Sequence, residues 1–165
     1  MNPGGEWLVE RGEWTTLAEQ RAAARRLLGR LTGHDARVEH DADGAPYLPD
    51  NPELHISLSH CRRAVAVAVS RTGRIGIDVE SRRKVSPSLM ERVCTPDERA
   101  AIKASDDPTM AFLRCWTRKE AVLKMRGTGI KGFGSMVAAT EATDCKVETL
   151  DCGLDDVVAA VATAL

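Results

Sequence analysis

Apolar and polar positions alternate in two short stretches, Leu54-His55-Ile56-Ser57-Leu58-Ser59-His60 and Ile75-Gly76-Ile77-Asp78-Val79-Glu80. A period of two predicts strands over 54–60 and 75–80. In the second, Ile75, Ile77 and Val79 share one face, and Asp78 and Glu80 the other. Residues 64–70 are a run of Ala and Val that reads as a buried strand, and Arg71-Thr72-Gly73-Arg74 is expected to turn it into 75–80 as a hairpin. The period changes to a helical one over 17–31, where Ala24, Leu27, Leu28 and Leu31 fall roughly on one face and Gly33 supplies a stop. Residues 37–40 predict a short strand, while Asp43-Gly44-Ala45-Pro46 and Pro49-Asp50-Asn51-Pro52 carry turn chemistry.

The second half repeats this layout. Residues 81–88, with Arg82, Arg83, Lys84 and Pro87, read as a linker, and helices are predicted over 88–93, 96–104 and 109–125. Thr95-Pro96-Asp97-Glu98 is a helix start with Pro at N1 and Glu at N3. Asp106-Asp107-Pro108 breaks the pattern before the long helix, and Gly127 and Gly129 end it. Weaker strands are expected over 134–139, 146–150 and 157–162. Stretch 56–70 resembles 145–163 in layout, though residue identity between them is poor. The fold class read from this is α+β: two similar modules, 1–80 and 81–165, each a helix on a small antiparallel sheet, forming one compact unit.

Composition narrows the function classes. A net charge of −1 over 165 residues argues against a general nucleic-acid or membrane-surface binder. No stretch has the apolar length of a transmembrane helix, and the first residues carry neither a basic start nor an apolar run, so no signal peptide is expected. Five cysteines make an odd count without a Cys-x-x-Cys pair, which fits reduced thiols in a cytoplasm.

The chemistry concentrates in two places. On the predicted helix 109–125, Trp116, Glu120 and Lys124 stack at i, i+4 and i+8. If that helix packs on the strand carrying Asp78 and Glu80, three carboxylates and an ammonium converge, and a divalent cation relieves the repulsion among the acids. Taken singly, the acids read as a solvated strand face and an ordinary helix residue; it is their combination with the second motif that points to a cation. Lys119 and Lys124 flank Glu120, and two readings stand: a plain Glu-to-Lys helix pair, or a grip on phosphate oxygens. Ser59-His60, at a strand end before Cys61-Arg62-Arg63, offers a hydroxyl and an imidazole to phosphate, or a simple polar cap. No Walker A loop and no Gly-x-Ser-x-Gly elbow occurs, and Gly127-Thr128-Gly129-Ile130-Lys131-Gly132 follows a helix rather than opening one.

Taken together, IGIDVE followed by WTRKEAVLK resembles the 4′-phosphopantetheinyl transferases, with the Asp-x-Glu form of the Sfp-type branch. Pro46-Tyr47-Leu48-Pro49, then Ile56-Ser57-Leu58-Ser59-His60, stand in the family's order, and Glu98 matches an acid between the two main motifs. The resemblance covers residues 22–130. It implies a pseudo-dimer of two modules with the site in the cleft. It also implies transfer of phosphopantetheine from coenzyme A to a serine of an acyl, peptidyl or aryl carrier protein. Asp78, Glu80 and Glu120 would hold Mg²⁺ on the coenzyme A pyrophosphate, Ser59 and His60 would contact its phosphates, and Lys119 and Lys124 would grip it. Glu120, directly or through a metal-bound water, is the implied base, and Lys124 suits the charge on departing 3′,5′-ADP.

The chain departs from the family in two respects. It looks shorter at both ends than typical Sfp-type members, and Ala45 stands where a basic residue usually precedes Pro46-Tyr47. Arg25, Arg26 or Arg11 would then have to hold the adenosine 3′-phosphate. A monomer is the expectation, with a dimer as the alternative. Two rival readings are a relative that binds without turnover and an unrelated Mg²⁺ phosphotransferase.

Overall fold

All seven residues of the Ala-Val run Ala64–Ser70 are buried, so this strand needs a neighbour on each edge and cover on both faces. The computed structural model, which describes residues 5–129 and 143–165, shows how both are supplied. The chain runs β1 (Glu6–Arg11), α1 (Leu17–Thr32), β2 (Glu39–His40), β3 (Pro46–Tyr47), β4 (His55–His60), β5 (Ala64–Ser70) and β6 (Ile75–Ser81). It continues through α2 (Pro87–Val93), α3 (Pro96–Ala104), α4 (Pro108–Arg126), β7 (Cys145–Leu150) and β8 (Val157–Ala164). The strand expected over 134–139 lies outside the described residues.

β5 is the middle of an antiparallel sheet ordered β1-β5-β4. Val65, Val67 and Val69 on one face pack beneath Ala23, Ala24, Leu27 and Leu28 of α1. Ala64, Ala66 and Ala68 on the other face meet Ile75, Ile77 and Val79 of β6. The alternation of valine and alanine explains both contacts: valines fill the space under a helix, and alanines let a second sheet come close.

That second sheet corrects the expected hairpin. Both edges of β5 are taken, by β1 and β4, so β6 crosses over at residues 71–74 and ladders with β8 in the sheet β6-β8-β7. Each three-stranded sheet is a strand, then helical chain (α1 in the first, α2 to α4 in the second), then a hairpin whose last strand takes the centre, and β2 and β3 pair as a separate small sheet. β6 is joined to β4 through side chains instead of a ladder. The Ser57 and Ser59 hydroxyls accept from the Ile77 and Val79 amides at 3.0 and 3.2 Å.

α4 lies directly on β6. A Cβ at Gly76 would stand 2.0 Å from the Ala121 carbonyl oxygen and 2.4 Å from the Met125 nitrogen, so only glycine allows this approach. The helix starts one residue earlier than periodicity suggests, with Asp107 as N-cap, and ends at Gly127 in the left-handed region. α1 and α3 both open with complete capping boxes, Thr16 with Glu19 and Thr95 with Glu98.

Candidate active site

Alternation on β6 turns Asp78 and Glu80 to the face where Gly76 admits α4, and the 3.6-residue period of α4 brings Trp116, Glu120 and Lys124 to the same side. The latter three line a cavity of about 970 Å³ between the two sheets' helices. Its other walls include Arg21 and Arg25 of α1, His60 of β4, and the Gly44-Ala45-Pro46 turn.

Asp78 is the anchor. It is 6% exposed, and its Oδ1 accepts from Lys124 Nζ at 2.7 Å and Ser59 Oγ at 2.8 Å. Lys124 also donates to the Ile77 carbonyl at 3.1 Å. Asp78 Oδ2 is buried with no hydrogen-bond partner. A buried carboxylate oxygen without a donor is costly, and an oxygen-seeking cation such as Mg²⁺ is a chemical fit for it.

Glu120 is half-buried, and burial first, then the charges of Asp78 and Glu80, push its pKa up to about 7 against the pull of Lys124. A group poised near neutrality suits proton transfer. His60 shifts the other way: burial, then Lys124 and Arg21, hold it below the usual 6.5. Its Nδ1 lies 2.9 Å from Gln20 Oε1.

Glu80 stands somewhat apart. Arg83 forks its carboxylate at 3.1 and 3.2 Å, the Trp116 indole N–H donates to Oε1 at 3.1 Å, and the Arg83 guanidinium lies 5.8 Å from the Trp116 ring. The acids are therefore electrostatic neighbours, but their donor oxygens do not gather as a set within 4.8 Å of one another. Among the described residues only Cys94, Glu98 and Cys115 meet that distance. There Lys119 already supplies a cation, donating to Glu98 Oε2 and to the Val93 carbonyl, each at 2.6 Å.

Lys119 is thus not brought to the cleft. It is fully buried under α2 and α3, because one residue from Glu120 is about 100° around the helix. Arg26 is also diverted, pairing at 3.0 Å with Glu10 of β1, whereas Arg25 lines the cavity. The Ser59 hydroxyl reaches the site, but it is engaged by Asp78 and the Val79 amide rather than presented to the cavity. Sequence reasoning does not single out Arg21 and His40, which line the cavity, or Arg83, which holds Glu80. Arg21 and Arg25 are spaced i, i+4 on one helix face, a signal that was readable. The positions of His40 and Arg83 depend on tertiary packing.

The family model described as the 4′-phosphopantetheinyl transferase superfamily matches residues 74–155, the stretch that holds β6 and α4. The chain is 32% identical over 162 residues to 4′-phosphopantetheinyl transferase HetI of Nostoc sp. (strain PCC 7120), covering 87% of this chain and 68% of that protein. It is 29% identical over 150 residues to 4′-phosphopantetheinyl transferase AcpT of Salmonella typhimurium, covering 86% and 74%. Against 4′-phosphopantetheinyl transferase Sfp of Bacillus subtilis the match is 31% over 102 residues, and it spans only 45% of that protein.

Proposed function

The chain belongs to the 4′-phosphopantetheinyl transferase superfamily, and on that premise we propose that it transfers the 4′-phosphopantetheine group of coenzyme A to a serine of an apo-carrier protein. The reading is of the Sfp-type branch, acting on an acyl, peptidyl or aryl carrier in the cytoplasm. Among the described residues no helix is long and apolar enough to cross a membrane. The two sheets are taken as two modules of a pseudo-dimer; because β6 ladders with β8, we divide them at residues 71–74 instead of the expected 80/81.

One observation carries the proposal. A buried Asp78 oxygen without a donor, beside a half-buried Glu120 and the Lys124 ammonium, faces a cavity whose far wall is basic. Asp78 and Glu120, with Glu80, would hold Mg²⁺. When bound, it would neutralise the diphosphate charge. Lys124 stabilises the negative charge that develops as the phosphorus–oxygen bond to 3′,5′-ADP breaks. Glu120 takes the proton of the carrier serine as its oxygen bonds to phosphorus. Arg21 and Arg25 form the basic wall for the adenosine phosphate in place of a basic residue at Ala45, with His60 beside them as a neutral imidazole able to hydrogen-bond a phosphate oxygen. Ser59 acts by fixing Asp78, and Lys119 and Arg26 have no direct part.

The test is to incubate the protein with Mg²⁺, coenzyme A and a panel of apo-carrier proteins and weigh the carriers intact. A gain of one phosphopantetheine that Asp78→Ala abolishes is the expected result. Binding of coenzyme A without a mass gain on any carrier would refute transfer.

A further inference from the structure

Glu80 is already engaged. Its two oxygens offer four acceptor positions, of which Arg83 Nε, Arg83 Nη2 and the Trp116 indole N–H take three. Arg83 follows Glu80 by three positions, two residues past the end of β6, and its side chain is 38% exposed, so it has room to turn toward solvent. The guanidinium also feels the charge of Asp78. Lys124 is on Asp78 and Arg83 is on Glu80, so each strand acid holds a protein cation of its own.

A divalent ion joining Glu80 would sit against a fixed positive charge on the same carboxylate. Two effects then compete. The Arg83 fork orients Glu80, which favours a cation modestly, as hydrogen bonds to a ligating carboxylate do. Like-charge repulsion from a dication a few ångströms away in a partly buried cleft is the larger effect, since it scales with the product of the charges and is poorly screened there.

We propose that Arg83 is an internal competitor for the divalent cation: it holds Glu80 and must release it for the cation to be bound by Asp78, Glu80 and Glu120 together. Arg83 is a positioning residue, acting on the cation through Glu80. The failure of the three acids to gather as a set follows from this, because Glu80 is tied to Arg83 and Trp116. The inference rests on the proposed cation site, so its test separates the two.

The experiment measures Mn²⁺ binding to the full chain by electron paramagnetic resonance of the free ion, without coenzyme A or carrier. Wild type, Arg83→Gln, Arg83→Lys and Asp78→Asn are compared. Arg83→Gln keeps a polar side chain and removes the charge, and it is expected to bind Mn²⁺ about tenfold more tightly than wild type. Arg83→Lys, which keeps the charge but loses the fork, should fall between. A structure with Mn²⁺ bound should show the Arg83–Glu80 fork broken. Equal or weaker binding by Arg83→Gln, in a protein whose binding Asp78→Asn abolishes, would overturn the competitor and leave the cation site standing. An intact fork with Mn²⁺ on Glu80 would do the same. Mn²⁺ binding that is absent, or indifferent to Asp78→Asn, would remove the site and the competitor together.

Discussion

Lys119 and Lys124 lie five residues apart on α4, and each ammonium holds a carboxylate at 2.6 or 2.7 Å, but the two pairs do different things. The Lys119–Glu98 pair is closed. Glu98 is also the N3 acid of the α3 capping box, and Lys119 is shared with the Val93 carbonyl, so three elements are tied at one buried point. The Lys124–Asp78 pair is open. One Asp78 oxygen has no donor, Lys124 borders a large cavity, and a second acid beside it has an elevated pKa. A fully satisfied ion pair positions a helix; an incompletely satisfied one is left for a ligand to complete.

The comparison can be broken at either pair. Lys119→Met should cost the most stability, about 3 to 5 kcal/mol, because it leaves Glu98 charged and partly buried. Urea unfolding would read it, and a loss under about 1 kcal/mol would mean the pair does not tie the helices. Lys124→Met should lose less stability, since its side chain is 30% exposed and water can reach Asp78 from the cavity. It should lower transfer by about 10² or more while leaving carrier binding intact.

Gly76→Ala attacks the platform both pairs share. The added methyl meets backbone atoms of α4, not flexible side-chain ends, so about 2 to 3 kcal/mol should be lost as helix and strand separate. Thermal unfolding would show it, and a Tm within a degree or two of wild type would refute the tight approach.

The next effect depends on pH. Folding raises Glu120 from 4.5 to about 7, so the folded chain keeps this proton to higher pH than the unfolded chain does. The associated stability is full below about pH 4.5 and is lost as pH rises through 7. Glu120→Gln cannot ionise, so its stability relative to wild type should climb between about pH 5 and 8. With partial solvent access discounted, the gain is on the order of 1 to 2 kcal/mol. A flat difference across that range would show that burial does not hold Glu120 protonated in the cleft.

The smallest effect is expected at Arg26, whose exposed pair with Glu10 is worth under about 1 kcal/mol. Arg26→Ala should change coenzyme A affinity less than about twofold, while Arg25→Ala, on the cavity wall, should weaken it severalfold; isothermal titration distinguishes them.

Local patterns in the chain foretold much of this arrangement. The helix bearing Glu120 and Lys124, the strand bearing Asp78 and Glu80, and the capping box at Thr95 are written in periodicity and cap residues a few positions apart. What could not be read is non-local. Glu6–Arg11 has Trp7, Leu8 and Val9 in a row rather than alternating, and it is a strand because β5 offers it an edge. The turn at residues 71–74 was visible, but a turn does not say whether the next strand stays in the sheet, and the occupied edges of β5 decided that. Lys119 misled because adjacency along the chain was read as adjacency in space. Arg83 looked like part of a solvated linker until Trp116 and Glu80 were placed beside it.

The serine stitches between β4 and β6 carry one more consequence. Ser59 both accepts the Val79 amide and donates to Asp78, so a breathing motion that parts the two sheets also strips Asp78 of a donor. Structural opening and loosening of the acidic centre around Asp78 are then a single thermodynamic event. The Ile77 and Val79 amides become built-in reporters of it, and their exchange with deuterium should slow together when a ligand bridges the cleft.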